Sequence, residues 1–117
     1  MSQQTEIDPT CCPAPEPEPE LDLRPVEGPA ADDELVLLAK AIAHPARVRI
    51  LRLLSRKEAR VCSQIVGELP LAQSTVSEHL RILKEAGLIR SREEGSRVGY
   101  CISSQALRRF KALVAIL

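Results

Sequence analysis

The chain reads as a mainly α-helical domain closed by one β-hairpin, in the order α-α-α-α-β-β-α, behind an extended N-terminal arm. Apolar residues recur at helical spacing in five segments from Asp32 onward, which predicts the helices. One pair of strand-like runs flanks Glu93-Glu94-Gly95-Ser96, which predicts the hairpin. Before Asp32 the chain is dominated by proline and acid, which predicts the arm. A length of 117 residues leaves room for one core and a tail. With Tyr100 and Phe110 as its only aromatics, that core must be aliphatic.

The arm comprises residues 1–31. Seven prolines fall between Pro9 and Pro29, and Pro13–Glu20 reads PAPEPEPE. Proline gives no amide donor and neighbouring acids repel, so the expected form is extended and polyproline-like. The folded domain is expected over residues 32–117. Asp32 or Asp33 would cap a first helix with Leu35, Leu38 and Ile42 on one face. His44 precedes Pro45, a residue suited to the first turn of a second helix with Val48, Leu51 and Leu54 in its stripe. A short helix over 62–69 turns Ile65, Val66 and Leu69 inward and stops at Pro70. The next helix runs from about Gln73 to Ala86, burying Val76, Leu80 and Leu83, with Gly87 where a left-handed residue ends a helix. Strands over Leu88–Arg92 and Val98–Ser103 follow. A last helix, from about Ser104 to Leu117, carries the stripe Leu107, Phe110, Val114 and Leu117. This is the outline of a winged helix-turn-helix.

The zero net charge conceals a division. Residues 1–33 hold nine acids and one base, a net of −8, whereas residues 34–117 hold fifteen bases and seven acids, a net of +8. A basic domain suits a polyanionic partner. The N-terminus, MSQQTEID, has no basic or apolar leader and no run of 18 apolar residues occurs, so a cytoplasmic protein without membrane contact is expected. There is no Cys-x-x-Cys, no Cys-x5-Arg phosphate cradle, no Gly-rich nucleotide loop and no supported Ser/His/Asp set, so an enzyme is not expected.

The polar face of the helix after Pro70 carries the functional reading. Gln73, Ser74, Thr75, Ser77, Glu78, His79 and Arg81 present short or amide-bearing groups at the helix start. Gln pairs bidentately with adenine, and small side chains permit close approach to base edges and phosphates in a major groove. Arg90, Arg92 and Arg97 flank the hairpin and suit phosphates or a minor groove.

His44-Pro45-Ala46-Arg47-Val48-Arg49-Ile50-Leu51 resembles the second-helix signature of the ArsR/SmtB family of metal-responsive bacterial repressors. The segments Leu71–Leu80, Leu83–Ile89 and Arg92–Gly95 are similar to its recognition helix and wing. The resemblance spans about Asp33 to Leu117. It implies a homodimer, joined through the first and last helices, that binds an inverted repeat in double-stranded operator DNA and leaves it when an inducer arrives. Leu35, Leu38, Leu107, Phe110 and Val114 fit that interface, and packing within one chain is the alternative. The sequence departs from the family where His44 replaces the usual Asp and Ala72 the usual Ser. The arsenic sensors' Cys-Val-Cys element reads Arg60-Val61-Cys62 here, leaving one thiol.

Cys11, Cys12 and Cys62 then define a candidate three-thiolate site for As(III) or Sb(III), which are thiophilic and three-coordinate. Some family members similarly pair an N-terminal cysteine arm with a cysteine on that helix. The alternative has an incidental tail pair and Cys62 as a small apolar residue. Cys101, alternating with Tyr100 and Ile102, reads as core or hairpin packing. The last helix holds no His, Asp or Glu, unlike the family's zinc sensors. The expected function is an arsenite- or antimonite-released repressor with no organic cofactor. A cadmium/lead-responsive or a thiol-redox/persulfide-responsive repressor of the same fold is the alternative.

Overall fold

The computed structural model describes residues 22–56, 60–61, 65–67 and 69–117 of the chain. Helix α1 spans Pro29–Ile42 and begins a turn earlier than Asp32 or Asp33 would have set it. Pro29 occupies the first turn, where its fixed φ is already helical and its missing N–H costs nothing. Gly28 precedes it at φ 105°, a conformation that side chains disfavour. Asp32 therefore lies inside the first turn, its amide donating to the Gly28 carbonyl at 2.9 Å, and the division expected between residues 31 and 32 falls within α1. Ala31, Leu38 and Ala41 are buried.

Helix α2, Pro45–Ser55, opens as the sequence suggests: His44 is the N-cap, its Nδ1 accepting from the Ala46 amide at 3.0 Å, and Pro45 follows. Its buried side is Ala46, Ile50, Leu51, Leu53 and Leu54, while Val48 is half-buried. A two-residue strand that the sequence did not signal, β1 (Arg60–Val61), comes next. A helical turn at 65–67 buries Ile65 in the stretch where the short helix was expected, and its expected start at Cys62 lies outside the described residues.

Helix α3, Gln73–Glu85, buries Val76, His79, Leu80 and Leu83 at i, i+3, i+4, i+7 spacing. Gly87 ends it at φ 85°, with the Gly87 amide donating to Lys84 and the Leu88 amide to Leu83. Strands β2 (Ile89–Glu94) and β3 (Arg97–Ile102) form the hairpin, turning at Gly95 and Ser96. The sheet order is β1-β3-β2, antiparallel throughout, with Val61 opposite Gly99 and Arg90 opposite Cys101. Helix α4, Ser104–Ala115, is capped by Ser103, whose Oγ accepts from the Ala106 amide at 3.2 Å.

The core is aliphatic, as the composition requires. Ile50, Leu54, Ile65, Val76, Leu80, Leu83, Leu88, Ile89 and Leu113 are its most deeply buried members. Their burial clamps α3 between α2 and β2 and leaves the opposite side of α3 open. Among the described residues, no helix is long and apolar enough to cross a membrane.

Candidate nucleic-acid interface

The open side of α3 is polar because the four buried positions use up every apolar residue of its first two turns. Gln73, Ser74, Thr75, Ser77, Glu78 and Arg81 are all exposed. Ala72, extended at φ −67° and ψ 153°, supplies no side-chain cap, so no N-cap side chain covers the first-turn amides. The helix thus presents donors and short side chains at its leading end. Arg81 is engaged along its own helix: Nε donates to Glu78 at 2.9 Å and Nη1 to Glu85 at 2.6 Å. The Arg81 guanidinium holds the Glu78 carboxyl below the usual carboxylate range, chiefly through their hydrogen bond. All three groups are more than half exposed, so these pairs are weak competitors for a phosphate.

His79 departs from its expected place on the reading face. It is 7% exposed and points inward, because it falls three residues after Val76 and one before Leu80 on the buried arc. Its Nδ1 accepts from Arg47 Nε at 3.1 Å, and its ring lies 4.4 Å from that of His44. Burial, then the His44 and Arg47 charges, lower the pKa of His79 from its ordinary 6.5, while Glu78 pulls the other way.

On the hairpin, Arg92 is exposed and Arg90 half-buried. They alternate with buried Ile89 and so share the other face of β2, on which Arg90 lies opposite buried Cys101 with its own Nε buried while Arg92 reaches solvent. Arg97 starts β3 opposite Glu94, and its side chain lies outside the described residues.

The apolar side of α1 and α4 is divided. Leu38 is 3% exposed and belongs to the core, so it is withdrawn from the candidate dimer face. Leu35, Leu107 and Phe110 are half-buried against the core, whereas Val114 is 41% exposed. The residues that do project are Val36 and Leu37 on α1, with Val114, Ile116 and Leu117 at the end of the chain. Leu37 and Leu38 are sequence neighbours about 100° apart around the helix, so only one can face the core. The spacing of Leu35, Leu38 and Ile42 already singled out Leu38, but Leu38 serves the core and Leu37 is the residue left exposed.

Arg109 was also missed. It is 7% exposed and donates to Glu34 Oε1 through Nε (3.1 Å) and Nη2 (2.9 Å). Its nitrogens also reach the main-chain carbonyls of Arg24 (3.3 Å) and Pro25 (2.7 Å). Arg24 in turn pairs with Asp22 at 2.8 Å and Glu34 at 3.5 Å. The last residues of the arm are thereby bound to both α1 and α4.

Cys11, Cys12 and Cys62, the expected thiolate ligands, lie outside the described residues. Among the described residues, no group of three or more His, Cys, Asp or Glu is arranged to hold a metal ion. Cys101 is buried in β3, as its alternation suggested, and is also disulfide-bonded; its partner is one of Cys11, Cys12 and Cys62, all outside the described residues, so the three-thiol set is complete only in the reduced protein.

The profile of the bacterial regulatory protein arsR family matches residues 44–91, from the cap of α2 into β2. The chain is 33% identical over 100 residues to the biofilm growth-associated repressor of Agrobacterium fabrum, spanning 82% of this chain and 85% of the relative. It superposes with a TM-score of 0.63 on a solved structure described as a possible transcriptional regulator for arsenical resistance, at 31% identity, covering 68% of this chain and 81% of the other. A homodimeric winged helix-turn-helix DNA-binding domain from Mycobacterium bovis superposes at 0.62, with 33% identity over 74% of this chain and 80% of that one. Combined with an exposed polar helix seated between α2 and a hairpin wing, these likenesses make the chain a winged helix-turn-helix transcriptional regulator of the ArsR family.

Proposed function

We propose that the protein is a dimeric repressor that leaves its operator when As(III) or Sb(III) binds the thiolates of Cys11, Cys12 and Cys62. The observation that carries this reading is the cysteine set itself. Two adjacent thiols sit on an acidic arm, and a third follows directly on Val61, the residue that pairs with Gly99 of the wing. Three soft thiolates match the donor number and softness of trivalent arsenic and antimony and disfavour hard cations. The reading is further supported by the likeness to a possible regulator for arsenical resistance.

The residues of this chain divide the work. Gln73, Ser74, Thr75 and Ser77 read base edges from the leading end of α3, and Arg92 and Arg97 meet the backbone from the wing. Val36, Leu37, Val114, Ile116 and Leu117 meet their counterparts in a second copy, setting two reading helices about one helical turn of DNA apart, for an inverted repeat. Thiolate capture at Cys62 constrains the start of the helix-turn-helix and the β1–β3 pairing together. A coupling of about 3 kcal/mol between inducer and operator weakens DNA binding about 150-fold.

The test is fluorescence anisotropy of the reduced protein on duplex DNA that it has itself selected from a random pool, titrated with arsenite, antimonite, Cd(II) and peroxide. Release by stoichiometric arsenite and antimonite, lost in Cys12→Ser with DNA binding intact, is the expected result. Release that survives in each of Cys11→Ser, Cys12→Ser and Cys62→Ser overturns the site. A second reading, a thiol-redox switch, is favoured by the disulfide at Cys101. It predicts release by peroxide without metal, reversal by reductant, and loss of both in Cys101→Ser.

A further inference from the structure

Arg47 stands where three helices meet. Its Nη1 donates to the carbonyls of Lys40 (3.0 Å) and Ala41 (3.2 Å) in the last turn of α1, while its Nε donates to His79 Nδ1 (3.1 Å) in α3. A guanidinium offers donors only, so the contact to α3 exists only while His79 Nδ1 carries a free lone pair. The neutral ring therefore holds its proton on Nε2. His44 beside it is fixed in the same way, its Nδ1 accepting from the Ala46 amide.

We propose that Arg47 is the positioning residue that sets the recognition helix against α1 and α2, and that protonation of His79 undoes this hold, so that acid weakens operator binding. This inference rests on DNA reading by α3 and is independent of which inducer the protein senses. When His79 takes up a proton, its Nδ1–H confronts the Arg47 Nε–H, and an acceptor is replaced by a second cation. The charges acting on His79 are Arg47 and His44 from the α2 side and Glu78 from its own helix. Toward α1, Arg47 occupies the carbonyls of Lys40 and Ala41 at that helix end. Burial and the two nearby bases together outweigh Glu78.

The direction of the effect follows. In the docked helix His79 binds a proton less readily than it does when released, so the docked arrangement is fully favoured above the ordinary value of 6.5 and is lost as pH falls below it. This is opposite to the usual trend, in which added positive charge in acid strengthens binding to DNA. Each unit by which the docked and released values differ makes about a tenfold difference in the docking equilibrium.

The experiment measures affinity of the reduced, inducer-free full chain for its selected duplex and for a non-specific duplex from about pH 8 to about pH 5.5 at fixed ionic strength. Helix content is followed by circular dichroism on the same samples. The wild type should lose specific affinity steadily as pH falls through this range, with its helix signal retained. His79→Gln keeps an acceptor for Arg47 without a titratable proton, and its specific affinity should stay level. His44→Asn keeps the cap of α2 and, with burial and Arg47 still acting on His79, should keep a fall in acid smaller than that of the wild type. Arg47→Gln should bind weakly at all pH values with a flat profile. A wild-type affinity that is level or rises in acid overturns the proposal. So does a fall that persists in His79→Gln, whether or not the helix signal falls with it.

Discussion

Replacing Arg109 by methionine removes a side chain that ties α4, α1 and the end of the arm together. Methionine keeps the aliphatic stem and the helix propensity, so the change isolates the guanidinium. Two charge-assisted bonds to Glu34 and two bonds to the carbonyls of Arg24 and Pro25 are lost. Breaking a buried ion pair costs about 3–5 kcal/mol, chiefly by stranding the partner charge. Glu34 retains 27% of its side-chain exposure and Arg24 remains within reach of it, so the stranded carboxylate is partly rehydrated and partly re-paired. The two carbonyls belong to exposed residues and return to water. The net loss should therefore lie at the lower end, about 3 kcal/mol. In urea, with a slope of about 1.5 kcal/mol per molar, the midpoint falls by about 2 M. Protein concentration must be held constant, because association adds to apparent stability. Hydrogen exchange over residues 22–28 should rise to the rate of free chain in the same variant. The double variant Arg109→Met/Glu34→Leu, which leaves no stranded charge, should recover more than half the loss. A midpoint shift below about 0.5 M, or arm exchange unchanged from wild type, would refute the clamp.

Three further expectations are independent of that network. Gly87→Ala meets nothing within 4 Å and so isolates the backbone penalty of a left-handed residue; it should cost about 1 kcal/mol in urea melts without altering DNA specificity. Ser103→Ala removes the side-chain acceptor at the start of α4 and should also cost about 1 kcal/mol. Leu37→Glu, at a position 55% exposed, should leave the circular dichroism spectrum intact while sedimentation shows monomer and operator affinity drops.

What the sequence disclosed and what it withheld follow from the range of the forces involved. Helical spacing, proline at a helix start, a glycine at a helix end and the hairpin turn are local signals, and they located α2, α3, the wing and α4 to within a few residues. Strand β1 is two residues long, too short for any periodicity, and it exists only because β3, some forty residues later, offers an edge. The start of α1 was displaced because two competing local signals, Pro29 and the Asp32-Asp33 pair, lie within one turn of each other, and the proline won. His79 was misplaced by its chemistry. A polar residue between Glu78 and Leu80 reads as surface, although its spacing from Val76 and Leu83 already put it on the buried arc. What made its burial tolerable is a donor on Arg47, thirty-two positions away and invisible to any local pattern. Arg109 sits within an otherwise apolar stripe for a similar reason, since its partner carboxylate is seventy-five positions upstream.

The grip of Arg109 on Arg24 and Pro25 is on main-chain oxygen, which every residue carries. The side chains at positions 24 and 25 can therefore change without removing the acceptors of that attachment, much as a tool can be changed on a fixed shank. A tail bearing thiols, imidazoles or carboxylates would leave the body at the same point, against the same two helices. The mounting is thus a property of the backbone, indifferent to which side chains residues 24 and 25 carry.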